Sequence, residues 1–343
     1  GTVSAVRGID VPKVSAWIAA NIADAIAPFE FEFITGGRSN LTFKVTDAAG
    51  RRMVLRRPPL GHLLASAHDM AREHRIISAV GRTDVPVAPA LGLCTDESVN
   101  GAPFYVMGFL DGVVLDGPER GELLPVERRR TAAFDLVNVL ARLHAVDVDA
   151  IGLGDLSRRE GYVERQVRRW TTQWEHSKTR DLPAIDEVAV RLRDHIPQQH
   201  GVSIAHGDYR FGNVLTDVEH GRVVGVLDWE LCTLGDPLAD LGYLGVYWTD
   251  PGAVRRIPND PTGEDGYPAY REIAERYAAT TGRDISNLGY YVAFSQFRLA
   301  VISEGVYRRY LDGAMGDQVA DIDASKRKVE EMAAAALASL KEA

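Results

Sequence analysis

The stretch "HGDYRFGNVL" (residues 206–215) sets an aspartate, Asp208, and an amide, Asn213, five residues apart, ahead of a second apolar run, "VVGVLDWE" (residues 223–230), that carries Asp228. A reaction that needs such a trio is phosphoryl transfer from a metal-bound nucleotide, in which a protein mainly positions groups and neutralises charge. One carboxylate must accept or orient the proton of the attacking hydroxyl. A neutral amide oxygen can hold a metal without adding negative charge, and a second carboxylate must sit on the metal that bridges the phosphates. Asp208, Asn213 and Asp228 offer these groups in chain order, and Gly235, Asp236, Pro237, Leu238, Ala239 and Asp240 follow them. An HGD turn or a strand-terminal aspartate is ordinary by itself; the ordered set is not.

Working outward, the chain has 343 residues, past the length at which single cores usually stop growing, which predicts two lobes. Its 45% hydrophobic and 25% charged content is that of an ordinary globular protein. A net charge of −9 argues against a general nucleic-acid or anionic-membrane binder. No apolar run approaches the roughly 20 residues needed to span a bilayer, and no basic-then-apolar leader opens the sequence, so a cytoplasmic location is expected. Cys94 and Cys232 stand among apolar neighbours without a CxxC or Cys/His grouping, and are read as small buried hydrophobes rather than a disulfide or zinc site.

Periodicity predicts an opening helix over residues 11–27 behind an Asp10 cap, with Val14, Trp17, Ile18, Ile22 and Ile26 on one face. Phe29, Phe31 and Phe33 alternate with Glu30 and Glu32, the pattern of a strand with one buried side. Gly36, Gly37, Arg38, Ser39 and Asn40 interrupt it, and strands over 41–46 and 52–56, a helix over 65–80 and a buried strand over 103–110 follow. Helices are predicted over 131–146, 162–177, 185–195, 267–281, 290–312 and from about 321, with strands over 202–205 and 222–228 between them. The pattern implies a small β-rich lobe, residues 1–107, and a larger helical lobe, residues 108–343.

"HGDYRFGNVL" and "VVGVLDWELCTLGDPLADLG" together resemble the aminoglycoside phosphotransferase and choline kinase superfamily. The resemblance spans nearly the whole chain and implies an α+β, bilobal protein-kinase-like fold, with a small antiparallel sheet in the first lobe. A protein kinase would show Arg at Gly207, a DFG triplet and an APE; this chain has Asp228, Trp229 and Glu230 and no APE, which favours a small-molecule acceptor. The resemblance implies ATP and Mg²⁺, with Asp208 as the catalytic carboxylate and Asn213 and Asp228 on the metal. The glycine-containing turn from Gly36 through Gly37, Arg38 and Ser39 to Asn40 would close over phosphates through backbone N–H groups. The family's strand lysine falls on Arg56, which can grip phosphate oxygens with two donors; Arg57 faces the other side. Glu73 would aim Arg56. Backbone groups of Met107, Gly108, Phe109 and Leu110 would meet adenine. His206 is read as packed under the loop, Asp240 as a brace for it, and Asp236 either as a second brace or as a helix cap.

On the acceptor side, "YVERQVRRWTTQWEHS" (residues 162–177) predicts a helix with Val163, Val167, Trp170 and Trp174 as a core stripe and Arg165, Arg168 and Arg169 on the opposite face. Residues 158–180 carry seven basic side chains against three acidic ones, which suits an anionic acceptor better than a polycationic one. "VLRRPPLGHLLASAHDMAREHRIISAV", "YVERQVRRWTTQW" and "AVISEGVYRRYLDG" are similar to the branch of the superfamily fused to or encoded with acyl-CoA dehydrogenases. That branch implies phosphorylation of a hydroxyacyl-CoA hydroxyl so that it can be eliminated, and a functional link to such a dehydrogenase. Two alternatives stand beside this reading: an aminoglycoside or amino-alcohol kinase, and a nucleotide-binding module without transfer.

Overall fold

The computed structural model describes residues 5–36, 40–61, 69–313 and 322–341. Gly37, Arg38 and Ser39 lie outside the described residues, as do positions 65–68 of the expected second helix.

The first lobe contains helix α1 (Val11–Asn21), strands β1 (Glu30–Thr35), β2 (Leu41–Thr46) and β3 (Arg52–Arg57), helix α2 (Met70–Val80), strand β4 (Ala90–Cys94), the short α3 (Glu97–Asn100) and β5 (Phe104–Gly108). The five strands form an antiparallel sheet in the order β1-β2-β3-β5-β4. Strand β2 shows why: Leu41, Phe43 and Val45 are buried while Thr42, Lys44 and Thr46 are half-exposed, so period-2 patterning turns one face inward. That face packs with Val14 and Ile18 of α1, and also buries Met53, Leu55, Phe104 and Val106. Fully burying one such side chain is worth about 1.5–3 kcal/mol, so the face holds the lobe together. The opposite side carries Tyr105, which joins Ile76, Ile77 and Val80 of α2 in the core that continues into the second lobe.

Two expectations need correction. Helix α1 stops at Asn21 rather than residue 27, because Ile22 is extended and Asp24 takes a left-handed φ of 64° that a helix cannot accommodate. Phe33 is 51% exposed and Phe31 only half-buried, because β1 is an edge strand with no layer covering its far end. Phe33 instead packs edge-on against Phe43 at 5.7 Å.

The second lobe contains helices α4 (Pro118–Gly121), α5 (Val126–Ala145), α6 (Tyr162–Ser177) and α7 (Pro183–Asp194). These are followed by strands β6 (Ser203–Ala205), β7 (Val214–Asp217), β8 (Arg222–Val226) and β9 (Thr233–Gly235), then helices α8 (Pro237–Val246), α9 (Tyr270–Thr281), α10 (Leu288–Leu311) and α11 (Ile322–Lys341). β6 pairs with β9 and β7 with β8, in two small antiparallel sheets set among the helices. Cys94 and Cys232 are buried free thiols. Among the described residues no helix is long and apolar enough to cross a membrane.

Candidate active site

The segment from Ala205 to Val214 joins β6 to β7, and its shape follows from where its polar groups are satisfied. Asp240, in the first turn of α8 and 2% exposed, accepts the N–H groups of His206 (2.9 Å) and Gly207 (3.0 Å). His144 of α5 donates to the same carboxylate at 2.8 Å. Gly207 has φ +89°, and a side chain there would meet Leu231 backbone oxygen at 2.9 Å, so an arginine at this position is excluded by space as well as by φ. His206 donates from Nε2 to Leu227 O (2.7 Å) and accepts at Nδ1 from the Asp208 N–H (3.1 Å). One imidazole therefore ties the backbone of Asp208 to the residue preceding Asp228. The ring is fully buried and packs edge-on against Trp229 at 5.0 Å.

Asn213 closes the same ring. Its amide nitrogen donates to Asp208 O (2.7 Å), which leaves the amide oxygen for a cation. Its carbonyl accepts the Leu227 N–H at 2.8 Å, as the Val214–Val226 register of β7 and β8 requires. Asp228 follows with φ 56°, a left-handed conformation unusual for a residue with a side chain. A carboxylate and a carboxamide oxygen are the hard donors that a magnesium ion takes.

Asp228 is also where the two lobes meet. Arg56, at 9% side-chain exposure, reaches Asp228 Oδ1 at 2.8 Å and Glu73 Oε1 at 3.4 Å. Glu73 accepts further hydrogen bonds from Asn40 (2.9 Å) and the Tyr105 hydroxyl (3.1 Å). Burial pushes the Glu73 carboxyl above its ordinary range, against the pull of Arg56 and these donors. Burial alone would lower Arg56, but the Glu73 and Asp228 carboxylates beside it hold the guanidinium firmly charged. Arg57 donates instead to Gly8 O and Pro58 O on the other side of β3.

Between the lobes lies a cavity of about 570 Å³ lined by Thr35, Val54, Met107, Gly108, Phe109, Leu110 and Leu215, with Arg56, Gly212 and Asp228 at one side. Its apolar walls and strand-edge backbone suit a flat heterocycle. Gly36 and Asn40 flank the turn between β1 and β2; Gly37, Arg38 and Ser39 lie outside the described residues.

The sequence expectation for the acceptor side rests on Arg165, Arg168 and Arg169, all on α6. None of Arg165, Arg168 and Arg169 lines this cavity. Arg165 is turned back on the carbonyls of Arg158 and Glu160. Trp170 is half-buried and packs against the edge of the core rather than lying within it, and its ring also meets two guanidiniums, Arg169 at 5.2 Å and Arg298 at 5.5 Å. Arg298, from α10, stacks on Tyr243 at 5.6 Å and donates to Gly207 O at 3.3 Å. Tyr243, from α8, donates its hydroxyl to Asp208 Oδ1. Burial, then the charge of Asp208, raises the Tyr243 phenol far above its ordinary range, so it remains a donor. The sequence signal for Tyr243 was its position three residues after Asp240, one helical turn along α8.

The Asp240 carboxyl is pushed up by burial but pulled further down by the His144 hydrogen bond and the Gly207 N–H, so its folded value lies below the ordinary 3.8. A depressed carboxyl contributes stability that is complete above the unfolded value and is lost as pH falls through the folded one. Asp240→Asn is therefore expected to lower stability at pH 7 by about 3 kcal/mol and to flatten the loss of stability below about pH 4. Urea midpoints for both proteins across pH 2.5–7 check this; equal midpoints at pH 7 would remove Asp240 as a brace.

A small antiparallel sheet over a helical lobe, with a carboxylate and a carboxamide on one loop and a second carboxylate at the interlobe cleft, defines a kinase-type phosphotransferase that uses an alcohol group as acceptor. The chain belongs to the phosphotransferase enzyme family, whose model matches residues 30–275. It is 38% identical over 291 residues to mouse (Mus musculus) acyl-CoA dehydrogenase family member 10, covering 83% of this chain and 27% of that protein. It is 36% identical over 296 residues to the Arabidopsis thaliana protein named probable acyl-CoA dehydrogenase IBR3, covering 81% and 36%. The chain thus spans about a third of the length of these relatives. A crystal structure from Ralstonia eutropha, described as a "putative aminoglycoside phosphotransferase", superposes with a TM-score of 0.82 at 37% identity, covering 97% of this chain and 98% of that one. Choline kinase from Cryptosporidium parvum, at 14% identity, shares the fold with a TM-score of 0.67, covering 97% and 96%.

Proposed function

We propose that this chain transfers the γ-phosphoryl group of ATP to a hydroxyl of a small anionic acceptor, with a hydroxyacyl-CoA thioester as the preferred class. The observation that carries this reading is the closed ring of hydrogen bonds from Asp208 through His206, Leu227 and Asn213, beside an interlobe cavity that Asp228 and Arg56 border. In this reading residues 1–107 form the nucleotide lobe and residues 108–343 the catalytic lobe, with Met107, Gly108, Phe109 and Leu110 as the hinge against adenine. Magnesium, when bound by Asp228 and Asn213, neutralises phosphate charge and orients the triphosphate. Arg56 moves from Asp228 to the phosphates while Glu73 keeps it aimed. Asp208, ordered by Tyr243, takes the acceptor proton as the hydroxyl oxygen attacks in line.

The anionic acceptor is supported by the cations on the acceptor side of the loop. Arg169, Trp170 and Arg298 form a stack that leads from the exposed face of α6 to Gly207, next to Asp208. A polycationic antibiotic would meet repulsion there. The names of the relatives support a link in which the phosphorylated acyl group passes to an acyl-CoA dehydrogenase. The test is transfer of labelled γ-phosphate from ATP in a metabolite extract, followed by purified 4-hydroxyacyl-CoA, the corresponding free hydroxy acid and an aminoglycoside. Label on the thioester supports the reading; label on the aminoglycoside alone would overturn it.

A further inference from the structure

Arg298 of α10 is a cation that the fold positions without neutralising. Arg56, Arg180 and Arg255 each reach a carboxylate, whereas Arg298 meets two aromatic faces, Trp170 at 5.5 Å and Tyr243 at 5.6 Å. Its one hydrogen bond among the described residues is a long one, to Gly207 O at 3.3 Å. The Nε–H is shielded from solvent with no hydrogen-bond partner, although the side chain as a whole is only half-buried. Buried donors are nearly always satisfied, so a guanidinium held in this state is costly unless an acceptor atom arrives with a ligand. Tyr243 sets where that ligand must lie. Its ring carries Arg298 while its hydroxyl donates to Asp208 Oδ1, so one side chain spaces the guanidinium from the Asp208 carboxylate. Leu231, 45% exposed, stands against the same glycine, its Cβ 2.9 Å from where a Gly207 Cβ would be. A fork of donors, a carboxylate and an apolar ledge thus surround one residue of the loop.

We infer that Arg298 determines acceptor specificity, donating to the carbonyl oxygen of an acyl group whose hydroxyl is received by Asp208 and whose hydrocarbon lies along Leu231. This rests on the phosphotransferase reading above and deepens it. The acceptor must carry a hydroxyl and a carboxyl-derived oxygen on one short chain, because the groups that read them are separated by a single tyrosine. A planar guanidinium suits a carbonyl or carboxylate oxygen and repels an ammonium group. Alcohols without that oxygen leave the donors unpaired, which is how a polar site rejects an analogue that lacks one group.

The experiment measures kcat/KM for phosphoryl transfer from Mg-ATP to 4-hydroxyacyl-CoA and to its thioether analogue, in which a methylene replaces the carbonyl. The parent, Arg298→Met and Arg298→Lys are compared. The two acceptors differ only in the oxygen assigned to Arg298. The parent is expected to favour the thioester by about 10- to 100-fold; Arg298→Met should erase that preference, losing about 10- to 100-fold on the thioester and no more than about threefold on the thioether. Arg298→Lys, which keeps the charge without the fork, should recover part of the thioester rate. Equal losses on both acceptors would confine Arg298 to holding Gly207 and overturn the inference, as would an unchanged preference in the Met variant or a parent that has none. If the Met variant shows no cooperative melting transition, the Lys variant decides by the same ratio. A parent that phosphorylates neither acceptor would instead refute the reading on which the inference rests.

Discussion

Asp208→Ala is expected to lower turnover by on the order of 10² to 10⁴-fold, with the affinity for Mg-ATP changed by no more than a few fold. The split follows from where the side chain stands. Asp208 is 26% exposed, its carboxylate ordered by Tyr243, while its backbone N–H and C=O are held by His206 and Asn213. Removing the carboxylate therefore leaves the loop's backbone hydrogen bonds intact while it removes the proposed proton acceptor, together with the partner of the Tyr243 hydroxyl and of Arg210. Asp208→Asn, which keeps size and polarity, should be nearly as inactive, whereas Tyr243→Phe should lose much less, because the carboxylate remains and only its aim is relaxed. Steady-state rates with the labelled acceptor, alongside calorimetric nucleotide titrations, separate the effects. Near-normal turnover in Asp208→Ala with every acceptor would remove Asp208 from the chemistry.

The loop and its partner strand were legible in the sequence because their information is local. Residues 206–213 carry the Asp208 carboxylate, the Asn213 carboxamide and the His206 imidazole within one turn-rich segment, and Asp228 follows at the end of the next hairpin. The first sheet was legible in β2 because its alternation faces a covered layer. It misled in β1, where the same alternation ends at an uncovered edge and Phe33 stays exposed. The acceptor side was the least legible part, for a reason of chain separation. Tyr243 and Arg298 reach the catalytic loop across sequence separations of 35 and 91 residues, from helices whose apolar periodicity signals only burial. Trp170 has the spacing of a core residue, and only the approach of α10 shows that its ring is used by two cations. The pairing of Arg56 with Asp228 was equally invisible, since it spans 172 positions and depends on how the lobes close.

That pairing shapes the second large effect, which concerns Asp228. Replacing it with asparagine should weaken Mg-ATP binding by roughly 10²-fold, about 2.7 kcal/mol, while ATP without magnesium binds as well as before or better. The opposite signs come from one carboxylate with two tasks. In the proposed reading Asp228, as a hard anionic ligand, would carry the cation, and its loss would leave Asn213 without the charge needed to hold a divalent ion beside the phosphates. As the partner of Arg56 at 2.8 Å it also competes with the triphosphate for the same guanidinium, and its neutralisation releases Arg56 to the phosphates. Asparagine is the informative substitution because, like aspartate, it tolerates the left-handed φ of 56° that this position holds. Asp228→Ala adds backbone strain of order 1 kcal/mol and should melt earlier for that reason alone. Calorimetric titrations with magnesium and with a chelator give both signs in one experiment. Equal Mg-ATP affinity in parent and Asp228→Asn would place the metal elsewhere, and unchanged metal binding with weaker free-ATP binding would show that Arg56 never leaves Asp228.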